Sequence, residues 1–392
     1  MKIVERVARV DQSKCVGCKN CECHCPTDAI KVTPGVMPGY VPPCGTACPA
    51  GTDVQGYIAL AGAGRYEDAY RLIRQSNPFP SVCGRICNHP CQAACNRNDL
   101  DESVGIRDIK RFVADKAFEN GMPVVEKKRK SNGKKIAVIG AGPSGLSCAY
   151  YLQLSGYSVE VFESESVAGG VLAYGIPEYR LPKAVLNRDI QAIEATGVQI
   201  HLNTTVGEDV SFDELYKKFH AVYVSTGTQL SRKANIPGED MPGVYHGLDF
   251  LKAVNLGKPV EIGKKVAVIG GGNTALSCAV NTSIDAARTA RRLGAEVTIV
   301  YRRQRNDMPC EERELLEAFE EGVRVLDLAA PVEVVGEGKV QGLKCVRMVP
   351  GVKDEKLRRS TTKTEEEFVV EVDNIIVAVS QFSAFPFLNK GE

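Results

Sequence analysis

The amino-acid sequence predicts an α/β protein in which two strand–helix stretches follow a cysteine-rich, helical first third. Three observations support this prediction. Short apolar runs alternate with helical patterns after residue 134, as expected for parallel sheets. Two of these runs, 135–139 and 265–269, lead directly into glycine-rich turns. Eleven of the fifteen cysteines lie before residue 96, so the first third must serve a different purpose from the rest.

Length and charge limit the classes of protein that fit. The 392 residues are enough for several domains, and a hydrophobic content of 44% allows sizeable cores. A net charge of +1 gives no overall field that would favour nucleic acid as a partner. No segment approaches the ~20 apolar residues of a membrane span, and the N-terminus lacks the apolar core of a signal peptide. We therefore expect a cytoplasmic protein whose thiols stay reduced.

Residues 1–34 are predicted to form a ferredoxin-like segment. The spacing of its cysteines is C-x2-C-x2-C-x3-C-P, and the thiols concerned are Cys15, Cys18, Cys21 and Cys25. This run is typical of bacterial ferredoxins, whose thiolates hold a 4Fe-4S cluster. Zinc is the main alternative because C-x2-C also binds zinc, but three evenly spaced thiols ending in Cys-Pro favour iron–sulfur. The spacing leaves open whether Cys23 or Cys25 completes this cluster, or whether Cys25 serves another.

Residues 35–125 are predicted to form a helical iron–sulfur domain. Helices are expected from Thr52 or Asp53 to Ala61, over 65–75, and over 104–120. In the last helix the expected apolar positions are Ile106, Ile109, Phe112, Val113 and Phe118. The predicted metal ligands in this domain are Cys44, Cys48, Cys83, Cys87, Cys91 and Cys95. An odd cysteine count in a reducing compartment argues against disulfides. A basic linker, 126–134, follows this domain.

Residues 135–260 contain the first predicted nucleotide site. The strand 135–139 runs into a G-x-G-x-x-G turn that opens a helix, and its residues are Gly140, Ala141, Gly142, Pro143, Ser144 and Gly145. The first glycine allows the tight turn, the second lets pyrophosphate approach the backbone, and the third lets the helix pack closely on the strand. Glu163 ends the next strand, 23 positions after Gly140, where an acid binds the ribose hydroxyls. This pattern predicts a Rossmann-like dinucleotide-binding fold.

Residues 261–375 contain a second site of the same kind. Its strand 265–269 runs into a loop whose predicted cofactor-binding residues are Gly270, Gly272, Asn273, Thr274 and Ala275. The strand 296–300 ends in Tyr301, Arg302 and Arg303 rather than an acid. Because guanidinium groups match phosphate oxygens, these arginines predict a 2′-phosphate and hence NADP(H).

The second site is longer than the first. The distance from Gly270 to Tyr301 is 31 positions, which leaves about eight extra residues, and we assign them to Leu276–Ser283. Either a lengthened helix or a loop would accommodate them.

At this point the chain resembles the small (β) subunit of glutamate synthase and related NAD(P)H-dependent FAD/iron–sulfur oxidoreductases. The matching strings are VCGRIC at 82–87, GGVLAYGIP at 169–177 with RLPK at 180–183, STG at 225–227, YRR at 301–303 and Met308-Pro309. The resemblance covers residues from about 40 to the C-terminus. It implies FAD at the first site, NADP(H) at the second and two 4Fe-4S clusters in the helical domain. By number, the ten or eleven thiols could serve two complete clusters, or three if non-cysteine ligands help. The resemblance further implies that Gly170 and Arg180 lie along the flavin and that Thr226 and Gly227 mark the crossing between domains.

Four features depart from the family pattern. No cysteine occurs in Tyr40–Pro43, where the family has further thiols, and Ser380 stands where a glycine is usual. The eight extra residues are the third. The family also continues beyond Glu392 with a segment that completes the FAD domain. Residues 376–392 are predicted to return to that domain. We therefore expect either weaker FAD binding or a partner that completes the pocket.

The predicted fold is thus α/β, with two Rossmann-like nucleotide-binding domains (FAD and NADP) preceded by a helical iron–sulfur domain and a short ferredoxin-like segment. The predicted function is an NADPH-linked oxidoreductase subunit that passes electrons between NADP(H), FAD and 4Fe-4S clusters. No acid–base side chain is required, because the cofactors carry the chemistry.

We expect other redox subunits, with ferredoxin among the candidates, as partners in a transhydrogenase or bifurcating complex. A glutamate synthase-type reductase and a cluster-binding scaffold subunit are the alternatives.

Overall fold

The computed structural model describes residues 42–121, 128–270, 282–308, 310–353 and 359–388. The chain divides into two compact units. Unit 1 comprises Met1–Lys130, Gln153–Ser155 and Ala184–Gly197. Unit 2 comprises Ser131–Leu152, Gly156–Lys183 and Val198–Glu392. The predicted ferredoxin-like segment, with Cys15, Cys18, Cys21 and Cys25, lies outside the described residues.

Unit 1 is helical in its described part. The helix α2 begins at Val54 because the Asp53 carboxylate accepts a hydrogen bond from the Gly56 N–H at 2.8 Å, which caps the helix as predicted. Fully buried Tyr57, Tyr70 and Ile73 form the centre of its core. The helices are α1 (Pro43–Thr46), α2 (Val54–Gly62), α3 (Tyr66–Arg74), α4 (Pro80–Ile86), α5 (Pro90–Ala93), α6 (Ile106–Glu119) and the later α9 (Lys183–Glu194), which belongs to unit 1 from Ala184 onward.

The buried face of α6 differs from the predicted one. Its buried residues are Ile106, Lys110, Val113, Ala114 and Ala117, which recur at helical spacing along one side. Phe112 lies off that side and is 44% exposed, so the prediction of a core position there is wrong. The alanines are buried because α6 packs closely on α4, where a Cβ added at Gly84 would lie 2.7 Å from the Arg111 Cα.

Unit 2 contains a first parallel sheet in the order β3-β2-β1-β4. Its strands β1 (Lys135–Ile139) and β2 (Ser158–Phe162) pair in parallel, and the helix α7 (Pro143–Leu154) connects them. This is the predicted strand–turn–helix–strand unit. The remaining elements are α8 (Val171–Tyr174), β3 (Gln199–His201), α10 (Phe212–Lys218) and β4 (Ala221–Val224).

A second parallel sheet in unit 2 has the order β6-β13-β7-β8-β9. The predicted strands appear as β7 (Lys265–Ile269) and β8 (Glu296–Val300), which pair in parallel. The other elements are β6 (Val244–His246), α11 (Gly247–Asn255), α12 (Thr282–Arg292), α13 (Glu312–Glu320), β9 (Arg324–Leu326) and β13 (Asn374–Val377). The chain passes from one sheet to the other through two short antiparallel strands, β5 (Leu230–Ser231) and β14 (Gln381–Phe382).

An antiparallel three-stranded sheet packs against the second parallel sheet. It consists of β10 (Ala329–Val335), β11 (Gly342–Lys353) and β12 (Arg359–Glu371), in that order. Buried Ala329 and Leu343 join Ala267 and Val300 of the parallel sheet in one apolar cluster. The alternating strand–helix pattern did not predict this sheet.

The fold-class prediction is confirmed, since two parallel sheets follow a helical cysteine-rich region. Both sheets fall within one compact unit, and β6 already pairs in the second sheet although it precedes residue 261. No helix within the described ranges is long and apolar enough to span a bilayer.

Candidate cofactor-binding sites

The first glycine turn has the geometry that its sequence predicts. Gly140 has φ of +101°, and a Cβ there would lie 2.6 Å from the Ser225 carbonyl oxygen. A Cβ at Gly145 would lie 2.0 Å from the Gly140 oxygen, so only glycine lets α7 start this close to β1. Nothing lies within 4 Å of a Cβ at Gly142, which leaves its backbone open to a ligand. Pro143 and Ser144 follow in the first turn of α7.

Glu163 lies at the end of β2 and holds the glycine turn in place. It is 4% exposed, and its two carboxylate oxygens accept hydrogen bonds from the Ala141 N–H at 2.7 Å and the Glu165 N–H at 2.9 Å. The Ser164 hydroxyl also donates to Oε1, at 3.4 Å, whereas Oε2 keeps a second acceptor site. The carboxylate can therefore fix the turn and still bind the ribose hydroxyls of a nucleotide.

A cavity of about 360 Å³ opens beside this turn. Gly140 and Glu163 line it on one side, Thr226 and Gly227 on another, and Phe387 of the C-terminal segment on a third. The Thr226 hydroxyl is buried without a hydrogen-bond partner among the described residues, and Gly227 has φ of +70°. An orphaned hydroxyl and a buried acid in this cavity, together with the open Gly142 of the adjoining turn, fit a dinucleotide such as FAD.

The loop 169–183 begins against the first glycine turn. Gly169 donates its N–H to the Ala141 oxygen at 2.8 Å, and a Cβ at Gly170 would lie 2.9 Å from the Gly142 Cα. Arg180, predicted as cofactor-binding, points elsewhere. Its guanidinium forms ion pairs with Asp285, at 2.7 Å, and with Glu314. No local pattern indicates these partners, which lie more than 100 residues away in the chain.

The second glycine turn is described only at its edges. Gly270 has φ of +136°, and a Cβ there would lie 2.8 Å from the Ser283 Oγ and 2.4 Å from the Ala378 oxygen. Gly272, Asn273, Thr274 and Ala275 lie outside the described residues, as does most of the proposed insert Leu276–Ser283.

The described end of the insert, Thr282 and Ser283, forms the first turn of α12. Ser283 is fully buried beside Gly270, in the position that Gly145 occupies beside Gly140 in the first site. The sequence carries a signal for this arrangement, because NTAL at 273–276 recurs as NTSI at 281–284. The described part of α12 begins within the second copy.

Arg302 and Arg303 follow β8, as predicted. Arg302 is exposed and Arg303 is half-buried. The preceding Tyr301 is buried and donates its hydroxyl to the Asp307 oxygen at 2.9 Å, which fixes the turn that carries the arginines. A guanidinium at this edge of a parallel sheet suits a 2′-phosphate.

The thiols of unit 1 cluster around its core. The six described cysteines before residue 96 are free, Cys91 is buried, and Cys44 and Cys48 pack against the same apolar cluster. The Cys87 Sγ accepts a hydrogen bond from the His89 N–H at 3.4 Å. Cys83 and Cys95 lie in α4 and just after α5, respectively.

The environment of these thiols favours a thiolate at one of them. Burial acts to raise the pKa of Cys48, but backbone hydrogen bonds from Thr52 and Ala50 and the charge of Lys110 outweigh it, so its pKa is lowered. Burial raises the pKa of Cys83 to about 11. No three His, Cys, Asp or Glu side chains of the described residues converge as on a single metal ion. An iron–sulfur cluster is bound by thiolates spread around a larger body, and this donor set fits one.

Lys110 is a functional candidate that the sequence reasoning missed. It is 7% exposed, its ammonium lies 5.7 Å from the centre of the Tyr57 ring, and its charge acts on Cys48, Cys83 and Cys91. A lysine this buried is unusual unless it is paired. Among thiolates, it supplies the compensating positive charge.

Three family models match the chain. The model described as "Pyridine nucleotide-disulphide oxidoreductase" matches residues 134–381. The model for the 4Fe-4S cluster domain II of dihydropyrimidine dehydrogenase matches residues 37–122, and a "4Fe-4S binding domain" matches residues 8–31. The matches therefore assign iron–sulfur binding to the cysteine-rich part and nucleotide binding to the part with both parallel sheets.

Curated relatives extend over most of the chain. The "NADPH-Fe(3+) oxidoreductase subunit beta" of Geobacter sulfurreducens is 41% identical over 89% of this chain and 52% of that protein. The "NADP(+)-dependent formate dehydrogenase subunit beta" of Moorella thermoacetica is 41% identical over 90% and 52%. The "Glutamate synthase [NADPH] small chain" of Escherichia coli K12 is 38% identical over 86% and 73%. The chain spans about half the length of the first two relatives.

Solved structures support the fold. FprA of Mycobacterium tuberculosis, in complex with NADPH, superposes with a TM-score of 0.56 at 21% identity, over 66% of this chain and 72% of that one. A 2-naphthoyl-CoA reductase superposes with a TM-score of 0.53 at 20% identity, over 85% of this chain and 43% of that one. These similarities concern the arrangement of the sheets.

Proposed function

We propose that this chain is an NADPH-linked flavin and iron–sulfur subunit of a larger redox complex. The chain belongs to the pyridine nucleotide-disulphide oxidoreductase family and to the group that includes the glutamate synthase small chain. One observation carries the proposal. Two glycine turns lie at the ends of parallel sheets in one compact unit, and six free thiols occupy the other unit. Such a chain can bind two nucleotides and a one-electron carrier together.

The first site is proposed to bind FAD. The cavity beside Gly140, the orphaned Thr226 hydroxyl and the buried Glu163 support this assignment. FAD supplies the conversion between a hydride and single electrons. The chain's own contribution is to bind the dinucleotide through Gly142 and Glu163 and to set its position relative to the second site. The domains 135–260 and 376–392 are proposed to form this FAD-binding domain together.

The second site, within 261–375, is proposed to bind NADP(H). Arg302 and Arg303 would hold the 2′-phosphate, and the loop residues Gly270, Gly272, Asn273, Thr274 and Ala275 would receive the pyrophosphate. A helix N-terminus favours anions, and Ser283 of α12 lies against Gly270.

We propose two 4Fe-4S clusters on the thiols of unit 1 and the N-terminal segment, or three if a non-cysteine ligand completes one. The described thiols are those of Cys44, Cys48, Cys83, Cys87, Cys91 and Cys95. Together with Cys15, Cys18, Cys21 and Cys25 they make ten thiols, which is enough for two complete clusters.

The complex is proposed to be a ferredoxin/NAD(P) transhydrogenase or bifurcating assembly. The N-terminal 4Fe-4S match at residues 8–31 favours it, because an additional cluster suits exchange with ferredoxin or another redox subunit. A glutamate synthase-type reductase is the second candidate, supported by the match over 73% of the E. coli small chain. Isolation of the native complex separates them, since co-purification with a glutamine amidotransferase subunit would support the second and exclude the first.

Cofactor content is the direct test of the proposal. Protein purified anaerobically should release FAD on denaturation, contain eight or more irons per chain for two or more clusters, and lose flavin absorbance on addition of NADPH. Iron without FAD would instead support a cluster-binding scaffold, and the absence of both would contradict the proposal.

Nucleotide selectivity tests the second site. Replacement of Arg302 and Arg303 by alanine should raise the Kd for NADPH by about tenfold or more, since hydrogen bonds to charged groups contribute roughly 1.5–3 kcal/mol each. The Kd for NADH should change little. The control is Arg324→Ala, an exposed arginine on β9 that pairs with Glu296. Equal loss of affinity for both nucleotides would exclude the 2′-phosphate role.

A further inference from the structure

The loop 169–183 starts at the first glycine turn and is braced by internal hydrogen bonds. Its first residues, Gly169 and Gly170, contact Ala141 and Gly142 as described above. Near its end, the Lys183 ammonium donates hydrogen bonds to the carbonyl oxygens of Ile176, at 2.5 Å, and Leu172, at 3.4 Å. These bonds tie the end of the loop to its middle, so a displacement at one end is transmitted to the other.

The loop meets the second nucleotide-binding half through buried charges. The Arg180 side chain is 11% exposed and that of Asp285 is fully buried, with their atoms 2.7 Å apart. Glu314 of α13 accepts a second hydrogen bond from the same guanidinium. Next to this pair, the Tyr179 ring lies 4.5 Å from the Arg288 guanidinium and 3.9 Å from that of Arg292.

Asp285 belongs to the turn of α12 that touches the second glycine loop. Two residues before it, Ser283 lies against Gly270 and contacts the Ala378 oxygen at 3.3 Å. The order of contacts is thus Gly142, Gly170, Arg180, Asp285, Ser283 and Gly270. One buried ion pair connects the two glycine turns, both of which belong to unit 2.

We propose that the Arg180–Asp285 pair is a positioning contact that couples occupancy of one nucleotide site to the geometry of the other, and this inference rests on the proposed function. A ligand that fixes the turn at Gly270 thereby fixes Asp285, the guanidinium fork of Arg180 and the start of the loop at Gly170. Because the fork binds Asp285 and Glu314 in defined directions, it transmits orientation as well as charge.

Alternative roles fit the observations less well. Arg180 does not line the cavity beside Gly140, and both of its terminal nitrogens already contact carboxylates. A purely structural ion pair would need no partner next to a ligand-binding turn. Replacing Arg180 or Asp285 leaves the other charge buried without this partner. The replacement should therefore have a large effect on the position of the loop 169–183 relative to α12.

Hydrogen–deuterium exchange of the full chain tests the coupling with NADP⁺ as the probe. In the wild type, NADP⁺ should slow exchange at 266–270 and also at 169–177, the latter by at least about fivefold. In Asp285→Asn and Arg180→Leu, the slowing at 266–270 should remain and that at 169–177 should disappear. Arg180→Lys, which keeps the charge but not the fork, should retain part of it. Arg313→Leu, an exposed arginine on α13, is the control and should behave like the wild type.

The outcomes separate the coupling from the proposed function. Slowing at 266–270 but not at 169–177 in the wild type would overturn the coupling alone, as would full retention in Asp285→Asn. No slowing in either segment of the wild type would overturn the NADP(H) assignment and the coupling with it. Thermal melting identifies a variant that does not fold. If Asp285→Asn or Arg180→Leu does not fold, the exchange measurements on Arg180→Lys and Glu314→Gln take its place.

Discussion

At the scale of single residues, this chain buries charged side chains in both of its compact units. Lys110, Asp189 and Asp285 are at most 7% exposed, yet a pattern of apolar positions treats each as a surface residue. The glycine turns, Glu163 and the cysteines were predictable because their spacing is local. The partners of Lys110 and Arg180 come from distant parts of the chain, and no spacing rule reports them.

Lys110 should set the reduction potential of a bound cluster. Its positive charge among the thiols favours the more negative, reduced state of the cluster. We expect Lys110→Met to lower the midpoint potential in an anaerobic redox titration followed by electron paramagnetic resonance. Lys116→Met on the same helix is the control, because Lys116 is exposed and pairs with Glu119. An unchanged potential with full iron content would contradict this role.

Asp189 should make the stability of the chain depend on pH. Burial raises its pKa to about 7, although its Oδ2 accepts a hydrogen bond from the Val82 N–H at 3.0 Å. Because the folded state keeps a proton that the unfolded chain loses, stability should fall as pH rises from about 4 to 7. At ~1.36 kcal/mol per pKa unit, the effect is at most about 4 kcal/mol.

The asparagine variant isolates this effect. Asp189→Asn cannot ionise at this position. As pH rises from about 4 to 7, the free energy of unfolding of the wild type should therefore fall relative to that of the variant. Urea unfolding at several pH values measures both. Asp213→Asn, in the exposed first turn of α10, is the control. A difference between Asp189→Asn and the wild type that is constant with pH would exclude the raised pKa.

At the scale of elements, the strands that precede the glycine turns were predicted to the residue, and other elements were not. The apolar runs 135–139 and 265–269 are bounded by charged residues and glycine, so their ends are explicit in the sequence. The sheet β10-β11-β12 was missed because its long strands carry many polar and charged residues outside a strand–helix alternation. Whether the eight extra residues lengthen α12 or form a loop stays a prediction, because 271–281 lie outside the described residues.

The same substitution at two glycines of one turn should affect different properties, stability at Gly145 and FAD binding at Gly142. A Cβ at Gly145 would lie 2.0 Å from backbone, whereas one at Gly142 would have no neighbour within 4 Å. Gly145→Ala should therefore lower the free energy of unfolding by about 1–3 kcal/mol, the usual effect of overpacking. Gly142→Ala should leave stability nearly unchanged and reduce the FAD content, because its methyl group occupies the space of the pyrophosphate. Urea unfolding and flavin release measure both, and equal destabilisation would contradict the geometry.

At the scale of the whole molecule, the two compact units are interwoven along the chain. The described chain leaves unit 1 and returns to it, so that Ala184–Gly197 completes a unit that is otherwise built from residues before 131 and Gln153–Ser155. The motif order predicts one return, that of 376–392 to the FAD domain, and does not indicate that Ala184–Gly197 belongs to unit 1. Packing of α9 against α3 and α4 is a long-range contact that motif order cannot reveal.

A fragment of residues 1–130 should therefore fail to fold cooperatively. In the full chain, the Val82 N–H donates a hydrogen bond to Asp189. The guanidinium of fully buried Arg74 donates one to the Ala192 oxygen at 3.3 Å. Loss of α9 leaves these donors without those acceptors and exposes part of the core, at roughly 1–3 kcal/mol for each unsatisfied group. For a unit of this size, such losses approach the total stability. The matched control joins 184–197 to the fragment through a glycine–serine linker, and it should recover a sigmoidal urea transition and iron retention. If the short fragment unfolds as cooperatively as the joined one, then α9 is dispensable and unit 1 ends at residue 130.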